Sequence, residues 1–137
     1  MALRSVVLTI LLAEDEYSNY VYVKMLLKSD KMKIIHVTNG RDAVEECRKN
    51  PAIDLVLMDL KMPSMDGFEA TKIIKSKRTD LPVIAITAQV LTGDREKALE
   101  AGCNEYIAKP FDKKEQIQLI NDYLYNRTND ANSDLLT

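Results

Sequence analysis

Short apolar runs recur five times along this chain of 137 residues, and a segment with helical spacing of apolar residues follows each run. The runs are Val6–Ala13, Lys33–Val37, Asp54–Met58, Val83–Ile86 and Tyr106–Ala108. Continuous apolar strands are typical of parallel sheets that are buried on both faces, and helices between them cover those faces. We therefore predict an α/β fold of five β/α units, a three-layer doubly wound (βα)5 arrangement with a five-stranded parallel sheet.

Polar residues mark where several helices of this pattern begin and end. The third helix is predicted to begin with a capping box made by Asp66 and Glu69, and Asp112 with Glu115 would start the fifth in the same way. Gly102 is placed to end the fourth helix, because glycine tolerates the left-handed backbone of a helix end.

The first two β/α units contain side chains whose burial can be predicted. In the first helix, Tyr22, Met25 and Leu26 have the spacing of one apolar face, which we expect to be buried. His36 is the single histidine of the chain and falls in the second strand, where we expect a structural role.

Composition limits the classes of protein to which this chain can belong. With 46% hydrophobic and 29% charged residues, it has the balance of one globular domain. A net charge of −2 argues against direct binding of nucleic acid through a basic surface. Cys47 and Cys103 lie far apart without a C-x-x-C pair, so a zinc site is poorly supplied, and we expect both to be buried, reduced thiols.

The two ends of the chain differ from its middle. Val6–Ala13 imitates the apolar stretch of a signal peptide, but it is too short to cross a membrane, so we expect no membrane insertion by this segment. From Asn126 onwards the sequence becomes polar. We place the domain at residues 1–127 and expect residues 128–137 to be a disordered tail.

Chemically active side chains come after four of the predicted strands. They are Glu14 and Asp15 after the first, Asp59 after the third, Thr87 after the fourth and Lys109 after the fifth. In a parallel sheet all of them emerge at the carboxyl edge, which is where open α/β sheets bind ligands. Carboxylates, a hydroxyl and an ammonium group gathered there predict a site for a divalent cation and a phosphoryl group.

The acids Glu14, Asp15 and Asp59 would repel one another across neighbouring strands unless a cation joined them. Mg²⁺ usually takes one or two carboxylates, several waters and a phosphate oxygen. A carboxylate at Asp59 could also act as a nucleophile and form an aspartyl phosphate, with Thr87 and Lys109 contacting the phosphoryl oxygens. Each residue alone has an ordinary structural explanation, and the convergence of all of them favours the site.

Four segments together resemble the receiver domain of two-component response regulators, over about Leu8 to Tyr125. They are Leu11–Asp15, Leu57–Gly67, Ile84–Ala88 and Tyr106–Phe111. Each segment is moderately specific, whereas the four in this order and spacing are very specific. The resemblance implies the flavodoxin-like strand order 2-1-3-4-5, and the acidic pair with residues 101–106 is most similar to receivers of hybrid histidine kinases.

The resemblance implies a phosphoacceptor and a set of metal ligands. Asp59 would accept the phosphoryl group. Asp15 and Asp59 would be side-chain ligands of Mg²⁺, with Mn²⁺ as an alternative ion, and the carbonyl of Lys61 would be a backbone ligand. Glu14 takes the place of an aspartate that is common in the family and would act through a metal-bound water.

The resemblance also implies residues that contact the phosphoryl group and residues that change conformation. Thr87, Ala88 and Lys109 would contact the phosphoryl group, and Thr87 with Tyr106 would form the conformational switch. The bond between Lys109 and Pro110 is a candidate cis peptide, because such bonds occur almost only before proline.

The same resemblance implies partners and a location. A sensor histidine kinase or a histidine phosphotransfer protein would donate the phosphoryl group from a phosphohistidine, and a phosphorylated domain could pair with a second copy. The domain would assist only its own phosphorylation and dephosphorylation, so we expect no enzyme with other substrates. It would be cytoplasmic, either alone or as the cytoplasmic portion of a membrane-bound hybrid kinase.

Three other classes of protein stay open as alternatives. A Mg²⁺-dependent phosphatase or phosphotransferase would also use an aspartyl phosphate, but those of the haloacid dehalogenase type have an acid where this chain has Lys61. A docking module that is never phosphorylated would not need the complete set of acids and Lys109. A flavodoxin-like electron carrier would need a loop rich in glycine and hydroxyl groups after the first strand, and the chain lacks one.

Overall fold

The computed structural model describes residues 7–28, 31–88, 91–109, 114 and 117–124. Its elements are β1 (Leu8–Ala13), α1 (Tyr17–Leu26), β2 (Met32–Val37), α2 (Gly40–Lys49), β3 (Ile53–Asp59), α3 (Gly67–Lys77), β4 (Val83–Thr87), α4 (Asp94–Ala101), β5 (Glu105–Ala108) and helical residues 117–124, here α5. The strands form one parallel sheet in the order β2-β1-β3-β4-β5. The predicted fold class and strand order are confirmed.

Apolar cores cover both faces of the sheet, because successive side chains of a strand point to opposite sides. On one face, Leu11 of β1 belongs to a core shared with α2, α3 and α4. On the other face, Ile10 and Leu12 belong to a core shared with α1 and α5. Cys47 and Cys103 are free and buried in the first core, as expected, and burial raises the pKa of both thiols.

The start of α3 and the end of α4 lie where the sequence predicts them. The Glu69 backbone N–H donates a hydrogen bond of 2.9 Å to Oδ1 of Asp66 at the start of α3. Gly102 ends α4 with a left-handed φ of 111°. Three expectations lie outside the described residues: the capping box of Asp112 and Glu115, the cis peptide at Pro110 and the tail at 128–137.

Two details of the first β/α unit differ from the prediction. β1 begins at Leu8, where pairing with Met32 of β2 begins, so the apolar run extends beyond the paired strand. In α1, Tyr22 and Met25 are exposed rather than buried, Leu26 packs against the core as predicted, and Val23 is buried in that core. Apolar residues lie on several sides of this helix, so spacing alone did not identify the face that meets the sheet.

Strands β3 and β4 each extend one residue beyond their predicted ends. Asp59 is therefore the last residue of β3, and Thr87 is the last residue of β4. Both side chains are buried at the carboxyl edge of the sheet. Their backbones are held by the strand ladder, which fixes the positions of two of the predicted site residues.

Candidate functional site

The carboxyl ends of four neighbouring strands form the site. Asp59 is level with Ile86 in the register of β3 and β4, and Thr87 is level with Ala108 in that of β4 and β5. Lys109 directly follows β5, and its backbone N–H donates a 2.7 Å hydrogen bond to the carbonyl oxygen of Thr87. The sheet itself thus brings these residues to one edge.

Three carboxyl groups converge at this edge. One carboxylate oxygen from each of Glu14, Asp15 and Asp59 lies within 4.8 Å of the others. Glu14 and Asp59 are buried, whereas Asp15 is exposed, so the cluster has an inner side and a side open to solvent. An all-oxygen donor set with access for water fits Mg²⁺, which keeps several waters when it binds proteins.

Lys109 supplies a partly buried cation to these acids. Its Nζ lies 2.5 Å from Oε1 of Glu14 and 3.2 Å from Oδ2 of Asp59. Burial alone would lower the pKa of Lys109, but the hydrogen bond to Glu14 and the charge of Asp59 outweigh burial, so the pKa is raised. Lys109 therefore remains charged and offsets part of the negative charge of the site.

One ammonium group does not neutralise three carboxylates. Burial raises the pKa of the Glu14 carboxyl to about 7, and its hydrogen bond with Asp59 acts in the same direction against the attraction of Lys109. Without a metal ion, Glu14 thus holds a proton far above the pH at which a free glutamate loses it. A divalent cation bound beside these acids would favour the charged form of Glu14, as expected for a metal-binding site.

The backbone around Asp59 is closely packed. The N–H of Lys61 donates a 3.1 Å hydrogen bond to Oδ1 of Asp59, so both oxygens of this carboxylate have a donor. A Cβ atom on Gly67 would lie 2.3 Å from the Asp59 carbonyl oxygen, which leaves room only for glycine. Sequence analysis missed this role of Gly67, although the pair Asp66-Gly67 is a recognisable signal.

The remaining predicted residues lie near the carboxyl ends of β3, β4 and β5 or just beyond them. Lys61 follows β3 and has an exposed side chain, while Ala88 follows Thr87 and is exposed. Tyr106 is level with Ala85 in β5, and its hydroxyl is buried with no hydrogen-bond partner among the described residues. The structure therefore brings Glu14, Asp15, Asp59 and Lys109 together and places the others near the same edge of the sheet.

Comparison with known protein families matches residues 10–121 to the response regulator receiver domain. The polar-differentiation response regulator DivK of Brucella anthropi is 33% identical over 118 residues, which cover 85% of this chain and 95% of that protein. The chain belongs to the response regulator receiver family. It is a receiver domain of two-component signalling, and its acidic cluster fits the phosphoacceptor site with Mg²⁺.

A longer relative and a solved structure are also similar to this chain. Hybrid signal transduction histidine kinase G of Dictyostelium discoideum is 40% identical over 123 residues, and the matched part covers 85% of this chain but 4% of that kinase. The receiver domain of sensor histidine kinase PA1611 from Pseudomonas aeruginosa PAO1 is 38% identical, with a TM-score of 0.74. The match covers 83% of this chain and 93% of that domain, whose structure has a magnesium ion coordinated in the active site cleft.

Membrane-spanning helices are absent from the part of the chain that the structure describes. None of its helices there combines the length and the apolar character that crossing a bilayer requires.

Proposed function

We propose that Asp59 accepts a phosphoryl group from a phosphohistidine on a sensor histidine kinase or a histidine phosphotransfer protein. The observation that supports this proposal is the convergence of Glu14, Asp15 and Lys109 on the carboxylate of Asp59. In this transfer a bond forms between an Asp59 oxygen and phosphorus, the phosphorus–nitrogen bond of the donor breaks, and the donor imidazole leaves.

Four groups would hold the metal ion. We assign the carboxylates of Asp15 and Asp59, the carbonyl of Lys61 and, through a water, the carboxylate of Glu14. Bound Mg²⁺, or Mn²⁺ in its place, would neutralise negative charge on the acids and on the phosphoryl oxygens. The buried position of Asp59 and its two hydrogen-bond donors hold the carboxylate in one orientation, which favours an in-line approach of the donor.

Three further groups would contact the transferred phosphoryl group. Lys109 already lies against Asp59 and would pair with a phosphoryl oxygen, and the hydroxyl of Thr87 and the backbone of Ala88 lie at the end of the neighbouring strand. New negative charge at Asp59 would draw Thr87 towards it, and Tyr106 would then move into the space released. The surface of α4 and β5 would change with Tyr106 and bind a partner or a second copy.

The domain would act in a signalling chain rather than turn over a separate substrate. Its chemistry is limited to assisting its own phosphorylation and hydrolysing its own acyl phosphate. We infer a cytoplasmic location, either as a stand-alone regulator or as the receiver portion of a hybrid kinase. The similarity to hybrid kinase G of Dictyostelium discoideum supports the second arrangement, and the similarity to DivK supports the first.

Phosphorylation by a small donor tests the proposal without a partner. Acetyl phosphate with Mg²⁺ should add one phosphoryl group to the intact mass, and EDTA should prevent it. Asp59→Asn should abolish the added mass, whereas Asp66→Asn should not, because asparagine also caps a helix and Asp66 is outside the cluster. Undiminished phosphorylation of Asp59→Asn would overturn the assignment.

A further inference from the structure

His36, in the edge strand β2, contacts the backbone of the acidic pair Glu14 and Asp15. It lies in β2, level with Leu12 of β1, and its Nε2 is 2.7 Å from the backbone carbonyl oxygen of Glu14. A carbonyl oxygen only accepts hydrogen bonds, so Nε2 must carry the hydrogen. The bond ends on the peptide group that joins Glu14 to Asp15.

The other backbone group of Glu14 is also held by β2. The N–H of Glu14 donates a 2.9 Å hydrogen bond to the carbonyl oxygen of Val37. Glu14 lies one residue beyond the end of β1, so without the His36 side chain its carbonyl would lose this contact with β2. His36 and Val37 together thus fix the backbone from which the two acidic side chains extend.

The imidazole ring of His36 is itself held in place by α1. The ring of Tyr20 stacks on it with 4.0 Å between centroids and 4° between planes. Tyr17 packs against Tyr20 at 5.6 Å, and Lys24 Nζ lies 5.7 Å from the centre of the Tyr20 ring. The stacking restricts rotation of the imidazole about its side-chain bonds, so that Nε2 stays directed at Glu14.

We propose that His36 is a positioning residue for the metal site, and this inference depends on the proposed Mg²⁺ site. Its hydrogen bond holds the Glu14–Asp15 peptide in the orientation that directs both carboxylates towards Asp59. The stack with Tyr20 supports that bond. Loss of the bond should therefore weaken Mg²⁺ binding even where the protein remains folded, because a site that must first be ordered binds its ion less tightly.

Two variants separate the hydrogen bond from the stack. His36→Phe keeps an aromatic ring beside Tyr20 but has no N–H, whereas His36→Gln has an amide N–H the same number of bonds from Cβ and no ring. Mg²⁺ affinity is measured on the whole chain by NMR titration, from the amide signals of Asp15 and Asp59. Folding of each variant is checked by urea unfolding in EDTA.

We expect His36→Phe to raise the Kd for Mg²⁺ by about three- to tenfold, and His36→Gln to stay within about twofold of the wild type. Unchanged affinity in His36→Phe, or an equal loss in both variants, would overturn the inference. If the wild type binds no Mg²⁺, the proposed function fails as well. If it binds Mg²⁺ and His36→Phe binds equally well, only the role of His36 fails.

A measurement on the wild type keeps the inference testable if His36→Phe does not fold. The nitrogen chemical shifts of the imidazole at pH 8 report which ring nitrogen carries the hydrogen. The inference predicts the tautomer protonated at Nε2. A neutral ring protonated only at Nδ1 would contradict it, because Nε2 could not then donate to Glu14.

Discussion

Lys109 and Glu14 form an ion pair with 2.5 Å between Nζ and Oε1, and the side chain of Glu14 is fully buried. The same ammonium group lies 3.2 Å from Asp59, so one cation is shared by two buried carboxylates. Buried charges are costly unless they are paired, and this arrangement leaves negative charge uncompensated. The stability of the protein without metal should therefore depend on the protonation of Glu14.

The free energy of unfolding should fall as the pH rises from about 4.5 to about 7. Burial and the hydrogen bond with Asp59 raise the pKa of Glu14 from 4.5 to about 7 in the folded protein. Between these values the folded protein keeps a proton that the unfolded chain has released, so stability present at low pH is lost as the pH rises. Urea unfolding in EDTA at pH 5 and pH 8 measures this change.

Glu14→Gln provides the control for this pH dependence, because it removes the titrating group and keeps the shape of the side chain. The wild type should lose more stability than Glu14→Gln between pH 5 and pH 8. Equal losses in the two proteins would show that Glu14 does not have a raised pKa.

Lys109→Met should lower the free energy of unfolding at pH 8 by about 3 kcal/mol, because removal of one partner leaves buried charge unpaired. The loss should be smaller at pH 5, where Glu14 is protonated, and added Mg²⁺ should restore part of it at pH 8. Lys72→Met on the exposed side of α3 is the matched control and should change stability little. A loss that is the same at both pH values would contradict the pairing with Glu14.

Gly67→Ala should both destabilise the protein and slow phosphorylation of Asp59. The added Cβ would lie 2.3 Å from the Asp59 carbonyl oxygen and 2.9 Å from the Leu60 Cα, and backbone atoms cannot move aside as a flexible side chain can. We expect a loss of about 1–3 kcal/mol, as is usual for overpacking.

Gly93→Ala is the control that separates the loss of stability from the slower phosphorylation expected for Gly67→Ala. Gly93 has a φ of 87° but open space around it, so alanine there strains the backbone without pressing on Asp59. It should lower stability without slowing the reaction with acetyl phosphate. Equal reaction rates for Gly67→Ala and the wild type would mean that the close approach to Asp59 has no part in the chemistry.

Binding of beryllofluoride, a mimic of the phosphoryl group, should change the NMR signals of Thr87 and Tyr106 as well as those of the proposed metal ligands. The buried Tyr106 hydroxyl has no hydrogen-bond partner among the described residues, and a buried polar group without a partner is costly. Movement of the ring would let the hydroxyl reach water or another partner. A response confined to Asp15, Asp59 and Lys61 would leave the site intact but refute the switch.

The sequence predicts those parts of the fold that follow from local pattern. Apolar strand runs predict the sheet, and the carboxyl edge of a parallel sheet predicts that Glu14, Asp59 and Lys109 meet. Which side chains of α1 are buried is harder to predict from sequence. Tyr22 and Val23 are both apolar, and only contact with the sheet decides which of them is buried. The apolar spacing of α1 predicts that Tyr22 is buried, and this prediction is wrong.

Two contacts at the site depend on distances that no sequence pattern contains. The approach of Gly67 to the Asp59 carbonyl depends on the path of the loop between β3 and α3. The bond from His36 to Glu14 joins residues 22 positions apart and depends on the register of β1 and β2. A lone histidine in a strand gives no sign of its acceptor before that register is known.

Chemical mapping of the phosphorylated residue tests the central claim most directly. The protein is treated with acetyl phosphate and Mg²⁺, the acyl phosphate is reduced with borohydride to homoserine, and the modified position is located by peptide mass spectrometry. We predict homoserine at position 59 alone, and none when EDTA is present. Homoserine at Asp15, Asp54 or another aspartate instead of Asp59, or no modification at all, would contradict the account.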